Sequence, residues 1–265
     1  MSVSLTHEAV PSRAEAAVSV EIQQLEKRAI FKVWAAAALP MAALAWLVAP
    51  VLADRFAGDG HIPLAKALIV SLAIGMVWQF VLVMTLVRRE QGTLRWSTVR
   101  EALWLRSPRS PRSGRSGGRV WLIVIPLIIA FTAVQELVAI AAPENRDFAT
   151  IIDSDAGKAF LDGAFGWYGL ILVMFIFNTV LGEELLFRGY LLPRMNGAFG
   201  RRDWVANGVL FAGYHLHVPW AIPGTLLEMF TTAYPSKRYR SAWIGIAVHS
   251  AQTVFLGILV FTLVV

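Results

Sequence analysis

The chain has 265 residues, 57% of them hydrophobic, and its mean hydropathy is +0.58. This composition is too apolar for a soluble domain of this length, so we predict an all-α integral membrane protein. The net charge of +6 comes largely from arginines in connecting segments, a distribution that argues against nucleic-acid binding. The absence of cysteine excludes disulfides, thiolate catalysis and cysteine-ligated metals.

Residues 1–30 are predicted to form a cytoplasmic segment that ends in an amphipathic helix. Apolar residues recur at helical spacing at Val18, Ile22, Leu25 and Ala29, a pattern typical of a helix on the membrane surface or of a solvated helix before the first span. No signal-peptide pattern precedes the first apolar run, so we expect that run to remain as a membrane helix. Residues 31–265 are predicted to form a single transmembrane domain.

The apolar runs that follow predict a polytopic helix bundle. Four of them are long enough to cross a bilayer: Val33 to Ala53, Ala67 to Val87, Val120 to Ala141 and Trp167 to Leu192. The region from Trp204 to Tyr234 predicts two short helices broken near Pro219, and Ala242 to Val265 predicts the last span. The predicted total is about seven spans, within a range of six to eight.

The arginines predict the orientation of the bundle. The segment from Arg88 to Arg119 carries nine arginines and a Ser-Pro-Arg-rich tract at 107–115, which we interpret as a flexible cytoplasmic loop. Binding of anionic lipid is an alternative role for this loop. The segment from Pro143 to Asp162 is acidic and is expected outside. The N-terminus is therefore expected in the cytoplasm, and the protein in the cell membrane.

The fourth apolar run contains charged residues, Glu183, Glu184 and Arg188. A charged side chain at this depth costs about 3 kcal/mol, so the stretch indicates a functional site. Glu184 and Arg188 stand at i and i+4 and should form an ion pair on a helix. Glu183 lies about 100° around that helix and needs a partner on another helix.

Two histidines are predicted at the same depth as Glu183. At a rise of ~1.5 Å per residue, Glu183, His215 and His249 each lie roughly 12 to 16 Å from a basic boundary and can meet in one layer. A single histidine there could equally be a packing residue. Together, a carboxylate and two imidazoles shielded from bulk water are suited to hydrolysis, because desolvation makes the carboxylate a stronger base. The histidines could hold a metal whose bound water the glutamate deprotonates, or could orient the water and stabilise an oxyanion.

The three motifs Glu183-Glu184-x-x-x-Arg188, Phe211-x-x-x-His215 and His249 follow one another on successive predicted helices. In this order and spacing they resemble the CPBP (Abi) family of intramembrane proteases, relatives of the type II CAAX prenyl endopeptidases. The resemblance covers about residues 165–260, which we take as the catalytic core.

The resemblance implies roles for these residues. Glu183 would activate the attacking water, with Glu184 and Arg188 as a supporting pair. The two motif histidines, His215 and His249, would orient water and stabilise the oxyanion or, in an older view of the family, bind a metal. The family usually has asparagine, or another small polar residue, four positions after its last histidine, whereas here His249 is followed by Gln252 and Thr253.

The resemblance also implies a function. We expect an endopeptidase that cleaves a peptide or membrane-protein substrate near the cytoplasmic face, from a cavity open to the cytoplasm. Two alternatives remain open: a catalytically inactive scaffold or immunity-type protein of the same fold, which Thr253 favours, and a proton-coupled transporter. His217 and Glu228 could line the cavity, but solvation at the membrane interface is the favoured interpretation.

Zinc is a potential cofactor, but the residues argue against it. A catalytic zinc site takes three protein ligands, and only His215 and His249 have the right depth. The third ligand would have to be Glu183, the expected base, or Glu184, the expected partner of Arg188. We therefore predict metal-independent hydrolysis.

Overall fold

The computed structural model describes residues 20–59, 62–138, 140–143 and 146–265. Every regular element within these ranges is helical, which confirms the all-α fold class. The α-helices are α1 (Lys27–Ala43), α2 (Ala49–Ala53), α3 (Pro63–Gln91), α4 (Trp96–Ala102), α5 (Val124–Leu137), α6 (Phe148–Asp153), α7 (Asp155–Leu161), α8 (Phe165–Ile176), α9 (Leu192–Arg194), α10 (Asn196–Phe199), α11 (Asp203–Tyr214), α12 (Ile222–Leu227), α13 (Ala233–Tyr239) and α14 (Ala242–Val264). Short 3₁₀ and π segments join several of them.

Within the described ranges, five helices are long and apolar enough to cross a membrane. We number them spans 1 to 5: Lys27–Gly58, Pro63–Gln91, Gly118–Leu137, Phe165–Arg194 and Ala242–Val264. The predicted pair between residues 204 and 234 is not a pair of spans. Its longest helices, α11 and α12, have 12 and 6 residues. They are therefore about 18 and 9 Å long, which is too short to cross a hydrocarbon core of about 30 Å.

The two ends of the bundle differ in charge. Spans 2 and 4 and helix α13 end on what we call the arginine-rich face, which carries residues 88–119, 194–202 and 237–241. Helices α6 and α7 lie at the other end, which we call the acidic face. The N–H of Gly163, just after α7, donates to the carbonyl of Val264 at the end of span 5 (3.1 Å).

The predicted amphipathic helix near the N-terminus is wrong for the part of it that the structure describes. Residues 20–26 are extended and the first helix begins at Lys27; Val18 lies outside the described residues. The extended segment crosses the end of span 4, where the N–H of Leu25 donates to the carbonyl of Arg194 (2.9 Å). The backbone of this segment thus hydrogen-bonds to the bundle and its apolar side chains pack against it. A helix lying on the membrane surface would not make these contacts.

The Ser-Pro-Arg-rich tract is folded, contrary to the prediction of a flexible loop. Within the tract, the N–H of Ser110 donates to the carbonyl of Arg115 (2.8 Å). The N–H of Arg109 donates to the carbonyl of Tyr239 (2.9 Å), which ties the tract to the end of α13. The Ser-, Pro- and Arg-rich composition of the tract predicted flexibility. Composition does not reveal the backbone hydrogen bonds that hold the tract in place.

Span 4 departs from α-helical geometry around the paired glutamates. Two π-helical segments, Phe177–Gly182 and Leu185–Leu191, flank Glu183 and Glu184. Such segments are rare, and they occur frequently at functional sites. Between the glutamates and the arginine-rich face lies the largest apolar cluster of the described residues, which includes Phe187 and Phe211.

Candidate active site

Glu184 connects two of the predicted site residues. Its Oε1 lies 3.2 Å from a guanidinium nitrogen of Arg188, and both side chains are fully buried. The same oxygen lies 3.2 Å from Nδ1 of His249 on span 5. The i, i+4 ion pair is therefore present as predicted, and it also holds a histidine of another helix.

Arg188 has further partners that fix its position. It donates from Nη2 to the hydroxyl of Thr232 (2.5 Å), and its guanidinium lies 3.9 Å from the ring centroid of Phe211. The contact with Glu184 is an ion pair without the alignment of a hydrogen bond, since Nη1 has no hydrogen-bond partner. An ion pair, a hydrogen bond and a ring contact therefore share the stabilisation of this buried cation.

Glu183 is buried and does not share the ion pair. The structure gives it no cationic side chain at contact distance, and it borders the cavity described below. Its neighbour Tyr214, which is fully buried, accepts a hydrogen bond from the Gln79 amide. A carboxylate in this position is available to bind water in the cavity.

His215 is oriented by its own helix. Its Nδ1 lies 2.9 Å from the carbonyl oxygen of Phe211, and a carbonyl can only accept, so Nδ1 carries the hydrogen. In the neutral ring Nε2 is then an acceptor. The Phe211-x-x-x-His215 motif thus sets the tautomer of the imidazole.

Glu183, His215 and His249 line one cavity of about 310 Å³. They come from span 4, the end of α11 and span 5. Span 2 adds Leu72 and Met76 to the wall. The structure therefore brings together the carboxylate and the two imidazoles that the sequence placed at one depth.

Residues 165–255, about a third of the chain, match the family model of the type II CAAX prenyl endopeptidase Rce1-like proteins. The match supports assignment of this segment to the CPBP family of CAAX proteases. It contains every motif on which the resemblance was based. Searches of curated proteins and of solved structures gave no match.

Two further residues line the cavity, contrary to the favoured interpretation of the sequence. His217 and Glu228 were expected to be solvated at the interface, but both are buried and border the same cavity. Glu228 accepts a hydrogen bond from Gln135 of span 3. The charge of Glu228 within an apolar run was the one feature of the sequence that indicated a site residue. Its burial could not be inferred, because the irregular chain after Pro219 has no helical periodicity.

The cavity does not extend in the predicted direction. It includes Phe175 and Leu256, which lie beyond Glu183 and His249 on the side of the acidic face, and Asp147, at the start of α6. Glu183 therefore lies at its inner end. The expected opening toward the arginine-rich face is wrong, because packed aromatic and aliphatic side chains fill the bundle on that side.

Thr253 occupies the position of the family's asparagine, and its hydroxyl contacts other groups of the protein. The Thr253 hydroxyl donates to the carbonyl of Ser250 (3.0 Å) and contacts the hydroxyl of Thr179 (3.3 Å). Gln252, one residue earlier, also lines the cavity. Its side chain brings an amide donor to the cavity wall, which Thr253 does not have.

The residues of this site are not arranged to bind a metal ion. No three His, Asp or Glu side chains in the described part of the chain form a group that could hold one. Glu184, the carboxylate nearest to His249, already contacts both Arg188 and that imidazole through one oxygen. A metal at this place would have to displace a buried ion pair.

Proposed function

We propose that this chain is an intramembrane endopeptidase in which Glu183 activates water to hydrolyse a peptide bond. One observation carries the proposal: Glu183, His215 and His249 arrive from three separate elements at one cavity of about 310 Å³. The CPBP match over residues 165–255 supports the reaction class.

The surroundings of each residue support a division of roles. Glu183 has no salt-bridge partner among the described residues and can take a proton from water. His215 presents Nε2 as an acceptor that orients the same water. His249 is held through Nδ1 by Glu184, so its protonated ring can donate from Nε2 to the carbonyl oxygen of the substrate.

The reaction then needs no group beyond these side chains. The water oxygen attacks the carbonyl carbon as Glu183 removes its proton. His249 and the amide of Gln252 stabilise the negative charge that develops on the carbonyl oxygen. When the carbon–nitrogen bond breaks, Glu183 passes the proton to the leaving nitrogen.

The direction of the cavity bears on where cleavage occurs. Since the cavity extends from Glu183 toward the acidic face, we propose that the substrate chain enters from that side. The scissile bond then lies near mid-membrane, against the buried pair of Glu184 and Arg188. This replaces the expectation of cleavage at the arginine-rich, cytoplasmic face.

Comparison of membrane peptides tests the function directly. Membranes containing the wild-type protein and membranes containing Glu183→Gln at equal abundance would be compared for new protein N-termini. We expect termini that occur only with the wild type and map to membrane-embedded or juxtamembrane segments. The same termini with Glu183→Gln, or none with either protein, would contradict the proposal and favour a scaffold of the same fold.

A further inference from the structure

A second cavity lies outside the catalytic cavity, on the arginine-rich face. It has a volume of about 610 Å³, and we call it the basic cleft. Five basic side chains line it: Arg109, Arg201, Lys237, Arg238 and Arg240. They come from the folded Ser-Pro-Arg-rich tract, from the turn before α11 and from the end of α13.

Most of the charge in the basic cleft is not neutralised by the protein. Lys237 is paired with Asp203, and it also donates to the backbone carbonyl of Arg201. No carboxylate of the described residues pairs with the side chains of Arg201, Arg238 or Arg240, and all three are exposed. The cleft therefore favours an anion.

The basic residues are held in place by hydrogen bonds. Arg109 donates from Nε to the carbonyl of Gly114 (3.1 Å). Arg240 has a left-handed backbone with φ of 52°, and its carbonyl accepts from Nε of Arg106 (3.0 Å). These bonds fix the Arg109 side chain and the backbone that carries Arg240, so binding an anion here orders less of the chain than binding on a mobile loop would.

An apolar groove adjoins the basic cleft. Its volume is about 480 Å³, and it shares Tyr234 and Arg238 with the cleft. Ile123 and Leu127 of span 3 form one wall and Phe230 lies on the other, while Ser110 and Arg112 add polar groups at the edge shared with the tract. Phe230 and Tyr234 are 56% and 44% exposed. Ile123 and Leu127 lie in the first turns of span 3, where a span is expected to meet the interfacial layer, so we expect this apolar surface to face lipid rather than water.

We infer that the basic cleft and the apolar groove together bind one anionic glycerophospholipid. The phosphodiester would contact Arg201, Arg238 and Arg240, and an acyl chain would lie along Leu127 and Phe230. The continuity of a cationic cleft with an apolar groove matches a molecule that joins an anionic headgroup to a hydrocarbon chain. A soluble anion would gain nothing from the groove.

Lipid retention by the intact protein tests this inference. The full chain in detergent micelles would be titrated with phosphatidylglycerol or with phosphatidylcholine, and bound lipid would be counted by native mass spectrometry. We expect one phosphatidylglycerol to be retained in preference to phosphatidylcholine. Because each basic side chain near an anionic lipid contributes about fivefold in affinity, Arg201→Gln/Arg238→Gln/Arg240→Gln should weaken retention at least tenfold.

A matched variant removes the same charge elsewhere on the same face. Arg88→Gln/Arg89→Gln/Arg95→Gln replaces three exposed arginines that do not line the cleft, and we expect it to retain phosphatidylglycerol like the wild type. Equal loss in both triple variants would overturn the inference in favour of diffuse attraction. Two wild-type results would also overturn it and need no variant: equal retention of the two lipids, or full displacement of phosphatidylglycerol by inorganic phosphate.

Discussion

Nδ1 of His249 lies 3.2 Å from Oε1 of Glu184, the oxygen that also contacts Arg188. The second glutamate of the motif is thus both half of an ion pair and the group that orients a histidine of the site. Glu184→Ala would leave a buried cation unpaired and release His249. We expect a loss of about 3 kcal/mol or more in unfolding free energy, measured as a lower thermal midpoint in detergent.

Glu183→Gln is the matched comparison. This substitution keeps the side-chain volume and leaves the ion pair of Glu184 and Arg188 intact, so we expect a thermal midpoint close to that of the wild type. We expect no cleavage, because the proposed base is lost. Equal destabilisation by the two substitutions, with cleavage retained in Glu183→Gln, would reverse the roles assigned to the glutamates.

Gly245 of span 5 lies against this ion pair. A Cβ at this position would overlap Oε2 of Glu184 and lie 3.1 Å from Cγ of Arg188. We expect Gly245→Ala to destabilise the protein by about 1 to 3 kcal/mol and to lower the cleavage rate. Gly169→Ala is the control, since a Cβ there has no neighbour within 4 Å. Equal thermal midpoints for the two variants would show that the helices separate to admit a methyl group.

Gln252 is expected to replace the amide of the family's asparagine. Gln252→Ala should lower kcat by about 100-fold, the usual effect of removing one oxyanion donor, with little change in KM. Thr253→Asn in the same background should recover part of the loss, because it restores an amide four residues after His249. The control Thr262→Ala removes a hydroxyl near the far end of span 5. An unchanged kcat in Gln252→Ala would remove this residue from the mechanism.

Hydrolysis is expected to be independent of metal. Purified protein should contain zinc well below one equivalent per chain, and cleavage should persist through a titration with a membrane-compatible chelator. The physical reason is that a third ligand would have to be Glu183, the proposed base, or Glu184, which is engaged by Arg188. Stoichiometric zinc that is lost together with activity, and that restores activity when added back, would make both site histidines ligands.

Orientation can be measured with reporters. One reporter fused within residues 107–116 and one within residues 144–158 should lie on opposite sides of the membrane, because span 3, Gly118–Leu137, separates them. We expect the first in the cytoplasm on account of its arginines. Both reporters on the same side would mean that span 3 does not cross the membrane.

Local spacing predicted part of the site well. The i, i+4 relation of Glu184 and Arg188 needs only helical geometry, and the pair is present. The contact of Glu184 with His249 depends on the relative positions of spans 4 and 5, which the spacing of residues within one helix does not determine. Burial of Glu228 was missed for a similar reason, because its segment has no regular period.

Long-range backbone bonds account for the other differences. The extended segment before Lys27 and the Ser-Pro-Arg-rich tract are each held by residues 130 or more positions away in the sequence, Arg194 and Tyr239. Neither composition nor local periodicity reports such pairing. The number of spans was overestimated because residues 204–234 are numerous enough for two helices, whereas the helices there are interrupted and short.

The π-helical turns beside the glutamates have a genetic consequence. A π turn holds one residue more than an α turn, so span 4 can lose a residue between Phe177 and Gly182 and close up as a regular α-helix. The shortened helix would still be long enough to insert and its two halves would stay in phase, but Glu183 would lose the widened turn that precedes it. In a deletion scan of this turn, we expect normal membrane insertion together with complete loss of cleavage, so that a single lost codon separates folding from function.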